Sequence, residues 1–459
     1  MSKKSEILVV LSGVFILLTF AFYNRYPFVY SDSGTYIRSG FEGYVPVDRP
    51  IMYGLFVRHI SMKYSLWLVV LAQNIILSYV LFSTLKFVIK ENYRIWFVLI
   101  IFLLTFTTGL ASFSNQIMAD IFMGILILSL FILLFVKKLP TWDMVFFTVL
   151  IIFSEACHFS HLFVASALMV IILLTRMLPF ALLKEISVKR IVAVSCVVFS
   201  VWLIVPTVNY FHSSKFFLSE GSHVFLMAHL NETGVLKRYL DDHCDQYPEL
   251  SLCDLNEDLQ VDVGTFTWVD SYSSKYGGFK GSKKEFDFIL NEIISDPAYW
   301  WDNVFNFVLY GLTQLTENSV GEGLTAHDKG SSPYYSIYTH MNREAFDMLN
   351  SKQNKYGKAV LNFDFLTRIQ WIVILTALFV VIFIVVTGNY RYYDQTSINF
   401  LGFILICIVL NAFFTGGLIA PNDRYSSRLI WLLPLSVAVI CINNWKHLKT
   451  GIKFGQNEF

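Results

Sequence analysis

Charged residues are scarce in this chain of 459 residues, at 15% of the total, whereas an ordinary soluble domain has about 25%. The 35 Lys and Arg and the 34 Asp and Glu nearly cancel, so no excess of positive charge indicates nucleic acid as a partner. Hydrophobic residues make up 55% of the chain, which excludes a disordered protein. They fall in long uninterrupted runs that need lipid around them. The sequence therefore predicts an all-α polytopic membrane protein.

Several motifs of soluble enzymes are missing from the sequence as well. It has no Walker or glycine-rich phosphate loop, and no Ser-His-Asp order or zinc signature that indicates a soluble hydrolase. No small-x-small cleavage site follows the first apolar run, which is therefore interpreted as an uncleaved span. Charges within the runs are few and no repeat with broken helices is evident, which argues against a transporter.

Ten apolar runs are interpreted as membrane spans, and the stretch 144–180 is divided in two because a single helix would be far too long for a bilayer. The runs lie at 7–23, 64–88, 95–112, 119–136, 144–157, 162–176, 191–211, 369–387, 398–420 and 429–444. This pattern predicts a seven-span module at 1–211 with a first outer loop at 24–63. It also predicts a long outer loop region at 212–368. The last part, 369–459, is expected to form three spans and a cytoplasmic tail.

The distribution of Lys and Arg predicts the orientation of the chain. With a cytoplasmic N-terminus, the inside segments hold 15 of these residues and the short outside segments hold seven. The 13 in the long loop region are not counted by the positive-inside rule. Both termini are therefore expected in the cytoplasm. The inner loops are short and basic, so any chemistry is expected on the outer face.

The six cysteines fit this topology. Cys157, Cys196, Cys407 and Cys441 lie within predicted spans, where a free cysteine is a small apolar residue. Cys244 and Cys253 lie in the long outer loop, and an oxidising compartment favours a disulfide between them. A metal pair is the weaker alternative, because the spacing matches no common zinc pattern.

Two aspartates lie where predicted spans meet the outer loops. Asp32 follows the first span in Val29-Tyr-Ser-Asp-Ser-Gly-Thr-Tyr36, where it either caps the next helix or performs chemistry. Asp120 enters the fourth span, where it either caps that helix or faces a cavity or a partner. Further along the first loop, Asp48 is predicted to cap a helix lying in the membrane interface, and Arg49 beside it is interpreted as structural.

Two other outer turns carry candidate functional groups. Glu155, His158 and His161 have the i, i+3, i+6 spacing of one helical side, which favours either a metal triad or a satisfied polar turn. Glu155 needs a partner, and His158 is the nearest candidate. Arg424 and Arg428 lie in the last outer loop, where guanidinium groups suit a phosphate, although they could instead reach lipid headgroups.

The combination of ten spans, an acid early in the first loop, an acid entering span four and a long loop after span seven resembles the GT-C superfamily of membrane glycosyltransferases. The resemblance covers mainly residues 1–211, with support from the loop at 421–428. It implies a sugar donor on a polyprenyl phosphate or diphosphate carrier. The acceptor would be an extracytoplasmic glycan, lipid or protein. Membrane lipid is a further partner, and the expected location is a bacterial inner membrane.

The resemblance also implies roles for individual residues. Asp32 matches the catalytic acid of the first loop, which orients or deprotonates the acceptor hydroxyl in an inverting displacement. Asp120 matches an acid that helps some members bind a divalent metal, Mg or Mn, near the donor phosphate, with Glu155, His158 and His161 in the same region. Arg424 and Arg428 match groups that hold the carrier phosphate. Asp32 and Asp120 are then expected to converge over a cavity that faces these arginines.

The sequence also departs from the family pattern. It has no paired Asp-x-Asp or Asp-x-Glu at the second acid, which puts metal dependence in doubt. The long loop with Cys244 and Cys253 corresponds to no known acceptor-binding domain. A flippase or transporter for lipid-linked oligosaccharide, a polysaccharide polymerase or ligase, and a membrane scaffold are the alternatives.

Overall fold

The computed structural model of the chain describes residues 3–176, 186–356 and 361–445. Every regular element within these ranges is a helix, and one isolated bridge joins Phe28 to Gln116. The all-α prediction is therefore confirmed. Almost all of the predicted cytoplasmic tail, at 446–459, lies outside the described residues. Most of the predicted inner segment at 177–190 lies outside them as well.

The helices alternate between long apolar segments and short connecting ones. The first half of the chain forms α1 (Lys3–Leu17), α2 (Thr19–Asn24), α3 (Ser31–Glu42), α4 (Met52–Ser61), α5 (Leu66–Val88), α6 (Tyr93–Thr107), α7 (Leu110–Ser114), α8 (Ile121–Phe135), α9 (Thr141–Cys157), α10 (Phe159–Arg176) and α11 (Val188–Ser213). The long loop region forms α12 (Ser222–Glu232), α13 (Val235–His243), α14 (Val263–Trp268), α15 (Asp270–Ser273), α16 (Gly278–Gly281), α17 (Lys283–Ser295), α18 (Pro297–Thr316), α19 (Ser332–His340), α20 (Asn342–Leu349) and α21 (Lys352–Lys355). The last part forms α22 (Asp364–Val386), α23 (Gln395–Thr415), α24 (Asp423–Ser427) and α25 (Leu432–Asn443).

Seven helical segments in the described part of the chain are long and apolar enough to cross a membrane. They are Lys4–Asn24, Leu66–Val88, Phe159–Arg176, Val188–Ser213, Asp364–Val386, Gln395–Thr415 and Asp423–Asn443. Each overlaps one of the predicted spans, with ends that differ by a few residues. The chain is therefore an integral membrane protein.

The three remaining predicted spans correspond to shorter helices, α6, α8 and α9. Helices α6 and α8 have 15 residues each, or about 22 Å, which is less than the roughly 30 Å of a bilayer core. The predicted span at 95–112 is interrupted because Thr108 leaves the helical conformation and the Gly109 N–H bonds to Gln370 at 2.6 Å. Helix α8 is buried along nearly its whole length, and an apolar run by itself does not distinguish a core helix from a span. The count of ten spans stays a prediction.

The first loop forms two helices, α3 and α4, and both are packed into the protein. Helix α3 lies across α4, and the contact is close because a Cβ on Gly40 would lie 2.0 Å from the carbonyl oxygen of Gly54. Helix α4 packs in turn on α5, with Tyr53 and Val57 fully buried. The first loop is therefore a rigid layer on the bundle.

Most of the long loop region divides between two hydrophobic cores. Residues from Val224 to Tyr299 form a core of their own, and we call residues 222–300 the loop domain. Helices α19 and α20 belong instead to the main core, through Ile337 and Met348 among others. Glu344 fixes this second part, because its buried carboxylate accepts hydrogen bonds from the Tyr26 hydroxyl at 2.8 Å and the Leu66 N–H at 2.9 Å. Residues 332–348 therefore complete the membrane part of the fold.

Cys244 and Cys253 form a disulfide in the loop domain, with Cα atoms 5.7 Å apart, as predicted. The other four cysteines are free thiols.

Replacing both Cys244 and Cys253 by serine is expected to loosen this turn. Closing a loop with a sequence separation of 9 residues removes denatured-state entropy worth about 2.5 kcal/mol. Amide hydrogen exchange in residues 235–258 should accelerate while exchange in α5 and α8 stays unchanged. The control is Cys196→Ser, which removes an exposed thiol of α11. Unaltered exchange in residues 235–258 would contradict the prediction.

Candidate functional site

Asp32 lies in the first turn of α3, and the start of that helix is fixed by its neighbours. The Ser33 hydroxyl accepts a hydrogen bond from the Tyr30 N–H at 2.8 Å and donates to the Ile117 carbonyl at 2.9 Å. The N-cap is Tyr30, so the alternative that Asp32 caps the helix is wrong. The bond to Ile117 places the first turn of α3 beside the segment that leads to Asp120.

Asp120 immediately precedes α8 and is fully buried, and its carboxylate makes no capping hydrogen bond. Its Oδ1 atom instead accepts from Arg424 Nε and from Arg428 Nη1, both at 3.1 Å. Arg424 Nη1 reaches Asp32 Oδ2, also at 3.1 Å. The two acids therefore converge on one guanidinium group, that of Arg424. Asp120 itself is fully buried and does not line the cavity that opens in front of Asp32, so the expectation that both acids face a cavity is met by Asp32 alone.

Arg49 and Asp48 extend this arrangement from the first loop. Arg49 Nη1 lies 3.0 Å from Asp32 Oδ2, and the same guanidinium donates to Asp48. The prediction that Asp48 caps α4 is wrong, because the N-cap is Ile51 and Asp48 is paired with Arg49. The result is a row of alternating charges that runs through Asp48, Arg49, Asp32, Arg424, Asp120 and Arg428.

The three carboxylates and three guanidinium groups of this row balance in charge. Burial raises the pKa of Asp32, but the charges and hydrogen bonds of Arg49 and Arg424 outweigh it and hold the pKa below the ordinary value of 3.8. Burial lowers the pKa of Arg49, and the nearby Asp32 and Asp48 carboxylates outweigh that effect and raise it. Asp32 is therefore ionised at neutral pH, although its side chain is only 24% exposed.

Helix α24, which carries Arg424, is held in place by Gln314 of α18. The Gln314 amide nitrogen donates to the Asn422 carbonyl and to the Ser426 hydroxyl, and its oxygen accepts from the Asn422 N–H, all at 2.8 Å. The guanidinium of Arg424 also lies over the Tyr30 ring, 4.9 Å from its centre. These contacts fix Arg424 between the two acids.

Arg428 lies behind Arg424 and is completely buried. It donates to Asp120, to the Ser160 hydroxyl at 2.9 Å and to the Asn411 side chain at 3.0 Å. The alternative that Arg428 reaches lipid headgroups is wrong, because no part of its side chain is exposed. Arg428 therefore holds the Asp120 carboxylate in place and is itself held by Ser160 and Asn411.

The turn between α9 and α10 does not join its three predicted groups. His158 Nδ1 lies 2.9 Å from the Ser160 hydroxyl, and His161 Nδ1 lies 2.8 Å from the Ser154 carbonyl. Both carboxylate oxygens of buried Glu155 lack a hydrogen-bond partner, so the expected contact with His158 is wrong.

The residues of the site do not fit a divalent metal ion. Among the described residues, no three His, Cys, Asp or Glu side chains lie close enough together to hold one. The Oδ1 atom of Asp120 and the Oδ2 atom of Asp32, which converge here, are each bound by two guanidinium groups. A cation at these two oxygen atoms would have to displace the guanidinium groups.

A cavity of about 690 Å³ opens in front of Asp32 and Arg424. Polar groups on its wall include Asp48, Arg49 and His158, and Arg428 is not part of the wall. The rest of the wall is mostly apolar or aromatic. It comes from the membrane helices, from the loop domain and from the segments that adjoin them: Phe159, Phe163, Phe414, Leu418, Ile419, Leu218, Phe225, Leu226 and Trp268. The cavity thus joins a charged site to a large apolar surface.

Arg49 and Gln314 are among the contributors to the site that reasoning from the sequence missed. Arg49 stands in Asp48-Arg49-Pro50, a pattern that favours a helix start, and nothing local indicates its contact with Asp32. Gln314 lies within an apolar stretch of α18, and its side-chain amide in that stretch is the local feature that could have indicated a buried polar contact. Both act through partners distant in the sequence.

Comparison with protein-family models, with curated proteins and with solved structures finds no match to this chain. The function is therefore argued from the chemistry of the site.

Proposed function

We propose that the protein is an inverting glycosyltransferase that moves a sugar from a polyprenyl-phosphate carrier to an acceptor on the extracytoplasmic side of the membrane. The observation that carries the proposal is the Asp32 carboxylate, placed with two guanidinium groups on the wall of a cavity that is otherwise largely apolar. Such a cavity suits a ligand with an anionic group and a hydrocarbon chain.

Asp32 is the proposed catalytic group. Both of its guanidinium contacts fall on Oδ2, so Oδ1 is the atom assigned to the acceptor hydroxyl. A carboxylate there accepts the hydroxyl proton, or orients the hydroxyl, as its oxygen attacks the anomeric carbon from the side opposite the phosphate. The C–O bond to the carrier phosphate then breaks, and the phosphate leaves with the electron pair.

Arg424 and Arg49 are the proposed phosphate ligands, since both line the cavity. A guanidinium group donates hydrogen bonds to phosphate oxygens and stabilises the charge that develops on the leaving phosphate. Arg424 uses Nε for Asp120 and Nη1 for Asp32, which leaves Nη2 for the phosphate. Arg428 is assigned to the support of Asp120 instead.

The apolar wall is the proposed site of the polyprenyl chain. Phe163 of α10 and Phe414 of α23 belong to, or end, candidate membrane spans, and their rings stack with centres 6.2 Å apart. A hydrocarbon chain that enters between these helices stays within the apolar layer of the membrane. The distribution of Lys and Arg favours cytoplasmic termini and an extracytoplasmic site.

The test is sugar transfer by the purified protein in liposomes that contain a polyprenyl-phosphate donor with a radiolabelled sugar, with extracted cell-envelope glycans and lipids as acceptors. Label should move to the acceptor and free polyprenyl phosphate should appear. A chelator should leave the rate unchanged, because the described residues hold no group of three metal-ligating side chains and the charges of Asp32 and Asp120 are paired with guanidinium groups. Movement of intact donor between leaflets without transfer would favour the flippase instead. A rate that falls with chelator and recovers with Mg or Mn would contradict the proposed metal independence.

A further inference from the structure

The loop domain lines one side of the cavity with aromatic surface. Phe225 and Leu226 of α12 and Trp268 at the end of α14 belong to this wall. Trp268 is 53% exposed although it lies in a folded domain. An exposed indole on the wall of a cavity is a large flat surface that is available to a ligand.

Trp268 is held in a fixed position by its neighbours. Its ring centre lies 5.4 Å from that of Phe279 and 6.1 Å from that of Phe225. The helix that carries it, α14, is capped by Asp262, whose carboxylate accepts a hydrogen bond from the Thr265 N–H at 3.0 Å. The indole is therefore preorganised, which lowers the entropic cost of binding a ligand.

The loop domain is also attached to the membrane part beside the cavity. His229 of α12 lies with Nδ1 2.7 Å from the carbonyl oxygen of Ile419, and Ile419 itself lines the cavity. This contact fixes α12, and with it Phe225, relative to the end of α23. The aromatic wall and the charged row therefore belong to one site.

The wall of the loop domain differs in chemistry from the wall formed by the membrane helices. Ser222 and Gly264 line the cavity together with Phe225 and Trp268, and the described residues of the loop domain contain no candidate membrane span. A sugar ring has apolar C–H faces and hydroxyl groups at its edges, so an aromatic face with adjacent polar groups matches it. A hydrocarbon chain matches the stacked Phe163 and Phe414 better.

We propose that Trp268, supported by Phe225, stacks on the sugar ring of the lipid-linked donor. The inference rests on the proposed function and adds the group that recognises the sugar. Arg49 and Arg424 then hold the phosphate, and Trp268 holds the ring that is attached to it. The loop domain is thereby part of the donor site.

The experiment measures binding of two carriers to the detergent-solubilised full chain. One is polyprenyl phosphate without sugar, and the other is the tightest-binding carrier of a panel bearing glucose, mannose or arabinose. Trp268→Leu and Trp268→Ala should each weaken binding of the sugar-bearing carrier about 10-fold, a factor that corresponds to about 1.4 kcal/mol. Trp268→Phe should bind it nearly as the wild type does, because the flat ring is kept. All three variants should bind the bare carrier as the wild type does.

The matched control is Trp301→Leu, which removes an exposed indole of α18 that does not line the cavity. It should change neither affinity. Retained binding of the sugar-bearing carrier by Trp268→Leu would overturn the inference, because leucine offers a hydrocarbon surface without an aromatic face. Equal weakening of both carriers by Trp268→Leu would overturn it too. Absence of binding of either carrier to the wild type would instead refute the proposed function.

Discussion

Asp32→Asn is expected to reduce sugar transfer by about 1,000-fold, within the range that a positioned acid–base group contributes. Asparagine has nearly the same size and keeps an oxygen for Arg49 and Arg424, but it cannot take a proton from the acceptor. The rate of transfer from the radiolabelled donor measures the effect. Binding of the bare carrier should persist, because both guanidinium groups remain.

The matched control for Asp32→Asn is Glu42→Gln at the other end of the same helix. Glu42 is partly exposed and pairs with Arg38 on the protein surface, and such pairs contribute little to stability. This variant should transfer sugar at the wild-type rate. Wild-type transfer by Asp32→Asn would remove Asp32 from the mechanism. Loss of carrier binding together with activity would assign Asp32 to the binding site alone.

Asp120→Asn is expected to destabilise the protein by about 3–5 kcal/mol, because it leaves a buried charge without its partner. Arg424 keeps Asp32, whereas Asp120 is the one carboxylate paired with Arg428 among the described residues. Arg428 is completely buried, so its guanidinium group has no water to replace that partner. Thermal unfolding in detergent should show a clear fall in the midpoint.

The double variant Asp120→Asn with Arg428→Met distinguishes this account from a general loss of packing. Methionine removes the buried charge, so the double variant should be more stable than Asp120→Asn alone. Asp287→Asn breaks an exposed ion pair with Lys283 and serves as the control, with an unchanged midpoint. Additive losses in the double variant would show that Asp120 and Arg428 do not act as a pair.

Much of the membrane part of the fold could be predicted from hydropathy, since a span is a local property of about 20 consecutive residues. The same measure does not tell whether α8 is a span or a core helix, because a helix buried on all sides is as apolar as one in lipid. The division of the long loop region could not be predicted either. It depends on contacts such as that between Glu344 and Leu66, 278 positions apart.

The residues of the site could likewise be predicted in part from local features of the sequence. Asp32, Asp120 and Arg424 could be predicted as candidate site residues, because they lie near the outer ends of spans, where a charge needs a partner or a function. Their convergence depends on a contact between residues 392 positions apart. No local pattern specifies such a contact.

The sequence by itself determined that the protein is helical, that it lies in a membrane and that its acids and arginines gather at the ends of spans. The tertiary structure decided which of these groups face the cavity. It brought Arg49 to Asp32 and enclosed Arg428 behind Asp120, and it added the aromatic wall of the loop domain. The physical reason is that transfer into lipid acts on each segment separately, whereas a buried charge is stabilised only by the particular partner that folding brings beside it.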